Sequence, residues 1–154
     1  MTSDSTKTTV KRGTDCIGVT ISFVCHDGHG NVLLHKRSDQ CRDEHGKWDN
    51  GGGALEFGES FEEGLKREIR EEYCADVLET KFLGAFNNIR DQNGTRTHWV
   101  NVVYAVRVYP EQVKNGEPHK IEELGWFRQD QLPSPPHTTL KRMVDFARAG
   151  GVFS

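Results

Sequence analysis

The run SFEEGLKREIREEY, Ser60 to Tyr73, decides how the rest of the chain is read. Ser60 with Glu63 three residues later is a capping box, in which each side chain satisfies a backbone N–H that the first helical turn leaves open. Phe61, Leu65 and Ile69 recur every four residues, the spacing of a helix with one apolar face. With Glu68 set at zero and about 100° per residue, Phe61 lies at about 20°, Leu65 at about 60° and Ile69 at about 100°. Glu72 falls at about 40°, inside that apolar sector, and Glu71 at about 300°, just beside it. Glu62, Glu63, Lys66 and Arg70 take the opposite side, where solvent belongs. Three carboxylates therefore sit on or beside the face that should be buried. The plain alternative, charges that simply face water, does not explain why they crowd this side. Anions packed so closely need a counter-charge, and without one each raises the pKa of the others. A divalent cation removes both difficulties. Carboxylate oxygens are the hard ligands that Mg²⁺ takes, and Mg²⁺ also binds substrate phosphates. Spacing alone thus predicts a divalent metal site on a helix.

Upstream of this helix, Cys16, Ile17, Val19, Ile21, Phe23 and Cys25 alternate with mostly small or polar residues, Val24 excepted, as in a half-buried strand. His26 to Asn31 is a turn, and Val32-Leu33-Leu34 opens a second strand that ends near Arg37. Ser38 to Lys47 is a polar surface loop, followed by the glycine run Gly51-Gly52-Gly53 and a short Ala54-Leu55-Glu56 segment. Downstream, Val77 to Ile89 is extended, Asp91-Gln92-Asn93-Gly94 is a hairpin turn and Thr97 to Val108 is a long strand. Tyr109 to His119 is a loop, and Leu124 to Arg128 a short strand carrying Trp126 and Phe127. Prolines at 133, 135 and 136 precede a last helix, whose apolar stripe is Leu140, Met143, Val144 and Ala147. No internal repeat or linker interrupts the chain. Strands, a helix, more strands and a terminal helix predict an α/β domain, a mixed sheet with helices on its faces. Residues 1–12 read as a flexible polar tail and 13–154 as a single domain, a suitable size for 154 residues.

The charge balance narrows the partners. Lys and Arg number 20 against 23 Asp and Glu, a net charge of −3, without the basic excess of a nucleic-acid binder. A small phosphorylated ligand remains compatible, because one local cluster can hold it. The four cysteines show no C-x-x-C spacing and read as reduced thiols. The N-terminal residues have no apolar stretch of the signal-peptide kind, and no apolar run approaches the ~18 residues of a membrane span. The expectation is a cytoplasmic protein with neither nucleic acid nor membrane as partner.

The stretch can also be read as one pattern: Gly53, five residues, Glu59, seven residues, then Arg67-Glu68-Ile69-Arg70-Glu71-Glu72. This resembles the Nudix box, G-x5-E-x7-R-E-U-x-E-E-x-G-U with U aliphatic, without a gap through Glu72. The approach from Trp48 to Glu59, the Glu123-x-x-Trp126-Phe127 strand and the Leu132-Pro133 turn are similar to the family as well, so the resemblance covers nearly all of the chain after the tail. It departs at Cys74, where the family has Gly, and at Ala75, a weak aliphatic. Gly51 stands for the usual Pro, and Asn50 for a commonly apolar residue.

The resemblance implies a Nudix-type α/β/α sandwich. It implies hydrolysis of a nucleoside diphosphate linked to another moiety, with Mg²⁺ as cofactor and Mn²⁺ able to substitute. Glu68 and Glu72 would be direct metal ligands, Glu71 a ligand or the base that orients water, and the Gly52 carbonyl a further ligand. Arg67 and Glu59 would pair to hold the Gly53 loop and the helix in register. A further catalytic carboxylate outside the box is expected at Glu123, with Glu122 second. Arg37, at the end of the second strand, is placed to meet substrate phosphate or base. Asn50, beside the expected base pocket, offers both a donor and an acceptor. His35, His45 and His98 read as surface or packing residues, and Trp48 and Trp99 as either core or base-stacking. The expected substrate is a nucleoside triphosphate, a purine deoxynucleotide or an oxidised one, cleaved to monophosphate and pyrophosphate by a monomer or homodimer. The alternatives are a dinucleoside polyphosphate, ADP-ribose or nucleotide-sugar pyrophosphatase, or a catalytically silent domain that only binds nucleotides. An isoprenoid diphosphate isomerase would need a catalytic cysteine before the box, and Cys41 lies in a loop without other support.

Overall fold

The computed structural model describes residues 9–153. Its elements in chain order are β1 (Gly18–His26), β2 (Asn31–Arg37), β3 (Trp48–Asp49), β4 (Gly51–Ala54), α1 (Phe61–Tyr73), β5 (Glu79–Gln92), β6 (Thr95–Arg107), a short 3-10 turn at Pro110–Gln112, β7 (Ile121–Arg128) and α2 (Leu140–Ala149). The seven strands form one sheet in the order β3-β2-β1-β6-β5, with β4 added to β1 and β7 to β2. β1 and β6 run parallel and the other pairs antiparallel, so the sheet is mixed.

Each face carries one helix. Leu65, Ile69 and Tyr73 of α1 pack on Ile21, Phe23 and Cys25 of β1 and on Val102, Tyr104 and Val106 of β6. Leu140, Met143, Val144 and Ala147 of α2 pack on Val24, Val32, Leu34 and Val103 from the other side. Successive strand residues point to opposite faces, which explains why Val24 breaks the alternation of β1. Its face is also covered, and Val24 is as fully buried as Ile21 and Phe23. The expected α/β/α sandwich with a mixed sheet is the fold.

The capping box forms as the sequence requires: Glu63 N donates to Ser60 Oγ at 3.2 Å and Ser60 N to Glu63 Oε2 at 3.1 Å. Phe61, assigned to the apolar sector, is instead 41% exposed. It is the first helical residue, and a helical side chain leans toward the preceding turn, which here lies beyond the helix start. α1 ends at Cys74 in the left-handed conformation, φ 55°, at the position where the Nudix pattern has glycine.

Other boundaries moved. The β5–β6 hairpin closes through Asn93 and Gly94, both with positive φ, as a two-residue loop prefers. The first strand begins at Gly18 rather than Cys16, and β7 begins at Ile121 rather than Leu124. The glycine run is itself a strand, paired with β1 as Thr20↔Ala54, Ile21↔Gly53, Ser22↔Gly52 and Phe23↔Gly51. Of the tail, residues 1–8 lie outside the described residues. Lys11 N donates to Asp15 Oδ2 at 2.8 Å, and Arg12 Nη1 to the Leu55 carbonyl at 2.7 Å. No helix among the described residues is long and apolar enough to cross a membrane.

Candidate active site

α1 and β4 meet with no room between them. A Cβ on Gly53 would stand 2.2 Å from Cδ of Glu68, and one on Gly51 would stand 2.1 Å from the Phe23 ring. Glycine at these positions lets the strand backbone touch the helix carboxylates. Glu72 Oε2 accepts the Gly52 N–H at 3.3 Å. Glu68 and Glu72 are 9% and 7% exposed, while the Glu71 side chain is 51% exposed. Burial pushes the Glu72 carboxyl well above its ordinary range, helped by the charges of Glu68 and Glu117. Burial raises Glu68 too, against the pull of Arg67.

Arg67 organises the corner. Its Nε and Nη2 donate to the two Glu59 oxygens at 2.6 and 2.9 Å, a bidentate pair. Nη2 also reaches the Ala54 carbonyl at 3.1 Å, and Nη1 reaches Glu68 Oε1 at 2.7 Å and Glu71 Oε2 at 3.4 Å. Hydrogen bonds from Arg67 hold the Glu59 carboxyl down to about 2, and Arg67 is raised in return. This one side chain ties the loop before α1, the end of β4 and the carboxylates together.

One cavity of about 690 Å³ receives these groups; its wall includes Gly52, Gly53, Arg67, Glu68, Glu71 and Glu72. Arg37 and Asn50 line it too. Glu59 stands behind Arg67, outside the wall. The Asn50 Nδ2 donates to the Gly51 carbonyl at 2.9 Å, and its buried Oδ1 has no hydrogen-bond partner. Arg37 spends three of its five N–H donors inside the protein: Nε and Nη2 donate to the Asp43 carbonyl and Oδ1 at 3.0 and 2.9 Å, and Nη1 to Asp49 Oδ2 at 3.2 Å.

Glu123, expected as a further catalytic carboxylate, stands away from this cavity. It is exposed on β7 opposite Lys36 of β2, and neither it nor Glu122 lines the cavity. Glu117 does, from the loop before β7, and its charge acts on both Glu68 and Glu72. That loop docks on the end of α1, with Gly116 N donating to the Glu72 carbonyl at 2.9 Å and Lys114 N to the Tyr73 carbonyl at 3.0 Å. A Cβ on Gly116 would lie 2.1 Å from the Glu71 carbonyl oxygen. The Asn115-Gly116 pair signals a turn; which helix it docks on is a tertiary matter that the local sequence does not carry.

The remaining side chains have plain partners. His35 is buried against the Tyr73 hydroxyl at 2.7 Å, and burial lowers its pKa. His45 meets the Cys41 carbonyl at 2.6 Å and His98 the Asn87 Oδ1 at 2.9 Å. Trp48 belongs to the core under α2, whereas Trp99 lines the cavity.

Two places hold metal-ligating side chains, and among the described residues only the second gathers three ligand atoms within 4.8 Å of one another. Glu68, Glu71 and Glu72 offer oxygens alone, two of the three carboxylates buried with raised pKa, which fits a hard divalent cation. Asp43, Glu44 and His137 present ligand atoms within 4.8 Å of one another. There, however, Asp43 already meets Arg37 at 2.9 Å and Arg90 at 3.3 Å, and Glu44 meets Arg90 at 3.3 Å. Glu44 Oε2 also lies 2.5 Å from His137 Nε2, off the hydrogen-bond directions. Against the upward push of burial, the Thr138 hydroxyl and N–H hold Glu44 down to about 2. Two guanidiniums fill the place a cation would take, so this second cluster reads as an ion-pair network that fixes the 38–47 loop.

Comparison with known proteins agrees with this geometry. The NUDIX domain profile matches residues 17–148. The fold is similar to that of a MutT NUDIX hydrolase from Burkholderia pseudomallei, with TM-score 0.74 and 29% identity over 84% of this chain and 96% of that one. It is also similar to the MutT protein of Methanosarcina mazei Go1, with TM-score 0.71 and 22% identity over 87% and 95%. The NUDIX domain of Shewanella oneidensis NrtR, complexed with ADP ribose, gives TM-score 0.69 at 19% identity over 88% of each chain, a likeness of fold alone. Among curated proteins, the NAD-capped RNA hydrolase NudC of Pectobacterium carotovorum is 26% identical over 95 residues, 60% of this chain and 34% of that protein. The chain thus spans about a third of the length of the curated relatives it matches. A profile matched across most of the sequence, the sandwich fold and the carboxylates of α1 seated on the β4 glycines place the chain in the NUDIX family of hydrolases.

Proposed function

We propose that this chain is a Mg²⁺-dependent pyrophosphohydrolase that converts a nucleoside triphosphate, a purine deoxynucleotide or an oxidised one, to the monophosphate and pyrophosphate. The observation that carries the reading is the pair of buried carboxylates, Glu68 and Glu72, pressed on the Gly52-Gly53 backbone at the wall of a cavity. Two like charges held out of water this way fold most readily around a cation. Glu68 and Glu72 would hold it, with Glu71 and the Gly52 carbonyl completing the set. When bound, the metal supplies charge neutralisation at the phosphates and a water of lowered pKa.

The chain's own residues do the rest. Glu71, half-exposed and reached by Arg67, orients the attacking water or takes its proton. Glu117 replaces Glu123 as the further carboxylate, because it is the one at the cavity wall. Arg67 and Glu59 keep α1 in register with β4, a positioning role on which in-line attack depends. Asn50 offers its unpaired amide oxygen to a donor on the nucleotide. Arg37 fixes Asp49 and the 38–47 loop with three of its N–H groups and leaves one on each of Nη1 and Nη2 for a phosphate or base at the cavity wall. A dinucleoside polyphosphate or ADP-ribose is the second reading, favoured by the cavity's extension beyond the carboxylates to Trp99. A monomer or homodimer in the cytoplasm, acting on free nucleotides, agrees with the four free cysteines and the acidic charge balance. The test is a kcat/KM panel of common and oxidised nucleoside triphosphates, ADP-ribose, diadenosine polyphosphates and nucleotide sugars. A triphosphate should lead; a tenfold lead for ADP-ribose or a dinucleotide replaces the first reading with the second.

A further inference from the structure

Past the carboxylates the cavity runs along β1 to an aromatic wall. Trp99 of β6 pairs in register with Gly18 of β1, and its indole is laid over glycine backbone. A Cβ on Gly18 would come within 2.4 Å of ring atom Cζ3, and one on Gly13 within 2.1 Å of Nε1. Gly13 has φ +84°, and its carbonyl accepts the N–H of His98, the neighbour of Trp99, at 2.7 Å. The turn around Gly13 is therefore fastened to the strand whose indole it supports. The ring, backed in this way, is partly exposed and lines the cavity.

Polar groups surround it on the same face of the sheet. Asn88 pairs with Trp99 across β5 and β6, Asn101 is two residues further along β6, and Thr20 of β1 pairs with Asn101. Paired residues, and residues two apart on a strand, share a face, and all four line the cavity. Asn101 Nδ2 donates to Ser22 Oγ at 3.2 Å. Its Oδ1, the Asn88 amide and the Thr20 hydroxyl have no side-chain hydrogen-bond partner among the described residues. A flat aromatic surface supported from behind, with uncommitted donors and acceptors beside it, suits a planar heterocycle with a hydrogen-bonding edge. Gly18 lies three residues, about 10 Å along a strand, from Ile21, which pairs with Gly53 against Glu68. Ile21 faces the other side of the sheet from Gly18, but one cavity joins Trp99 to Gly52, Gly53 and the carboxylates, so a base on Trp99 leaves its sugar and phosphates a path to them.

We propose that Trp99 is the stacking platform for the base of the substrate and that Asn88, Asn101 and Thr20 read its edge. This rests on the nucleotide reading above and specifies where the base lies. The experiment has two arms. In the first, tryptophan fluorescence of the wild type and Trp99→Phe is titrated with the four deoxynucleoside monophosphates. A saturable quench in the wild type that Trp99→Phe lacks supports the platform, and no quench, or an equal quench in both, overturns it. In the second, hydrolysis of the best deoxynucleoside triphosphate is compared with that of ribose 5-triphosphate, which has no base. Trp99→Ala should raise KM for the nucleotide about tenfold to a hundredfold, with kcat and the baseless substrate little changed, and Trp99→Phe should restore most of the loss. An equal loss on both substrates means a structural role and overturns the proposal. If Trp99→Ala does not fold, Trp99→Phe and the quench decide. A wild type that is quenched by nucleotides but hydrolyses none refutes the hydrolase reading while the platform stands.

Discussion

Gly53→Ala separates the geometry of the site from the stability of the fold. The new methyl carbon would lie 2.2 Å from Cδ and Oε1 of Glu68 and 2.3 Å from Oε2. An ordinary carbon–oxygen contact needs about 1 Å more than that. The carboxylate end of a flexible side chain gives way more readily than two strands do, so Glu68 retreats by about 1 Å and takes its bond to Arg67 with it. Overpacking costs about 1–3 kcal/mol, and replacing a strand glycine returns about 0.5–1 kcal/mol. The net is a loss of about 0–2.5 kcal/mol, a fall in Tm of at most about 10 °C, at about 2–4 °C per kcal/mol for a domain of this size. A misplacement of about 1 Å in a reacting constellation costs about 100-fold in rate. The assay is kcat/KM on the best substrate beside a thermal melt of the same preparation. Activity within about threefold of wild type would refute the claim that contact between Gly53 and Glu68 sets the site. A collapse of the fold would refute the claim that the side chain, rather than the sheet, absorbs the strain.

Two further variants test the neighbourhood. Glu117→Gln should lower kcat by about 10²-fold, the low end of what a positioned proton-transfer group contributes, while Glu123→Gln, exposed and away from the cavity, leaves it unchanged; the opposite ranking would return Glu123 to the site. Cys74→Gly should raise stability by up to about 1 kcal/mol, because Cys74 holds a left-handed backbone, φ 55°, that costs a side-chain residue about 1–2 kcal/mol less the greater entropy of glycine. Melting curves check this, and lost activity at unchanged Tm would reveal a role for the thiol.

The helix was legible because its signals are local. The capping box, the four-residue apolar period and the angles of Glu68 and Glu72 all lie within fourteen consecutive residues. The partners that decide the rest lie far along the chain. Gly51-Gly52-Gly53 reads as a loop because glycine is depleted in strands; it forms β4 by pairing with β1, where Phe23 and Glu68 leave no space for a Cβ. Arg37 reads as a free cation at a strand end until Asp43 and Asp49 close on it. Glu123 reads as a further carboxylate by family resemblance, yet on β7 it is exposed opposite Lys36. Glu117 gave no local sign, since its place depends on the 114–116 loop docking on the end of α1.

The central claim is that buried Glu68 and Glu72 serve a metal rather than the fold, and Glu72→Gln tests it most directly. Glutamine keeps the size and can still accept the Gly52 N–H, while it removes a charge that burial and Glu68 disfavour. The measurement is turnover of EDTA-stripped protein titrated with Mg²⁺, wild type against variant, with Tm recorded for both. The account predicts that the wild type is silent without metal and recovers with Mg²⁺ or Mn²⁺. It predicts that Glu72→Gln loses about 100-fold or more in kcat at any Mg²⁺ concentration, with a metal-free Tm equal to or above that of the wild type. Full turnover by Glu72→Gln, or by stripped wild type, would contradict it.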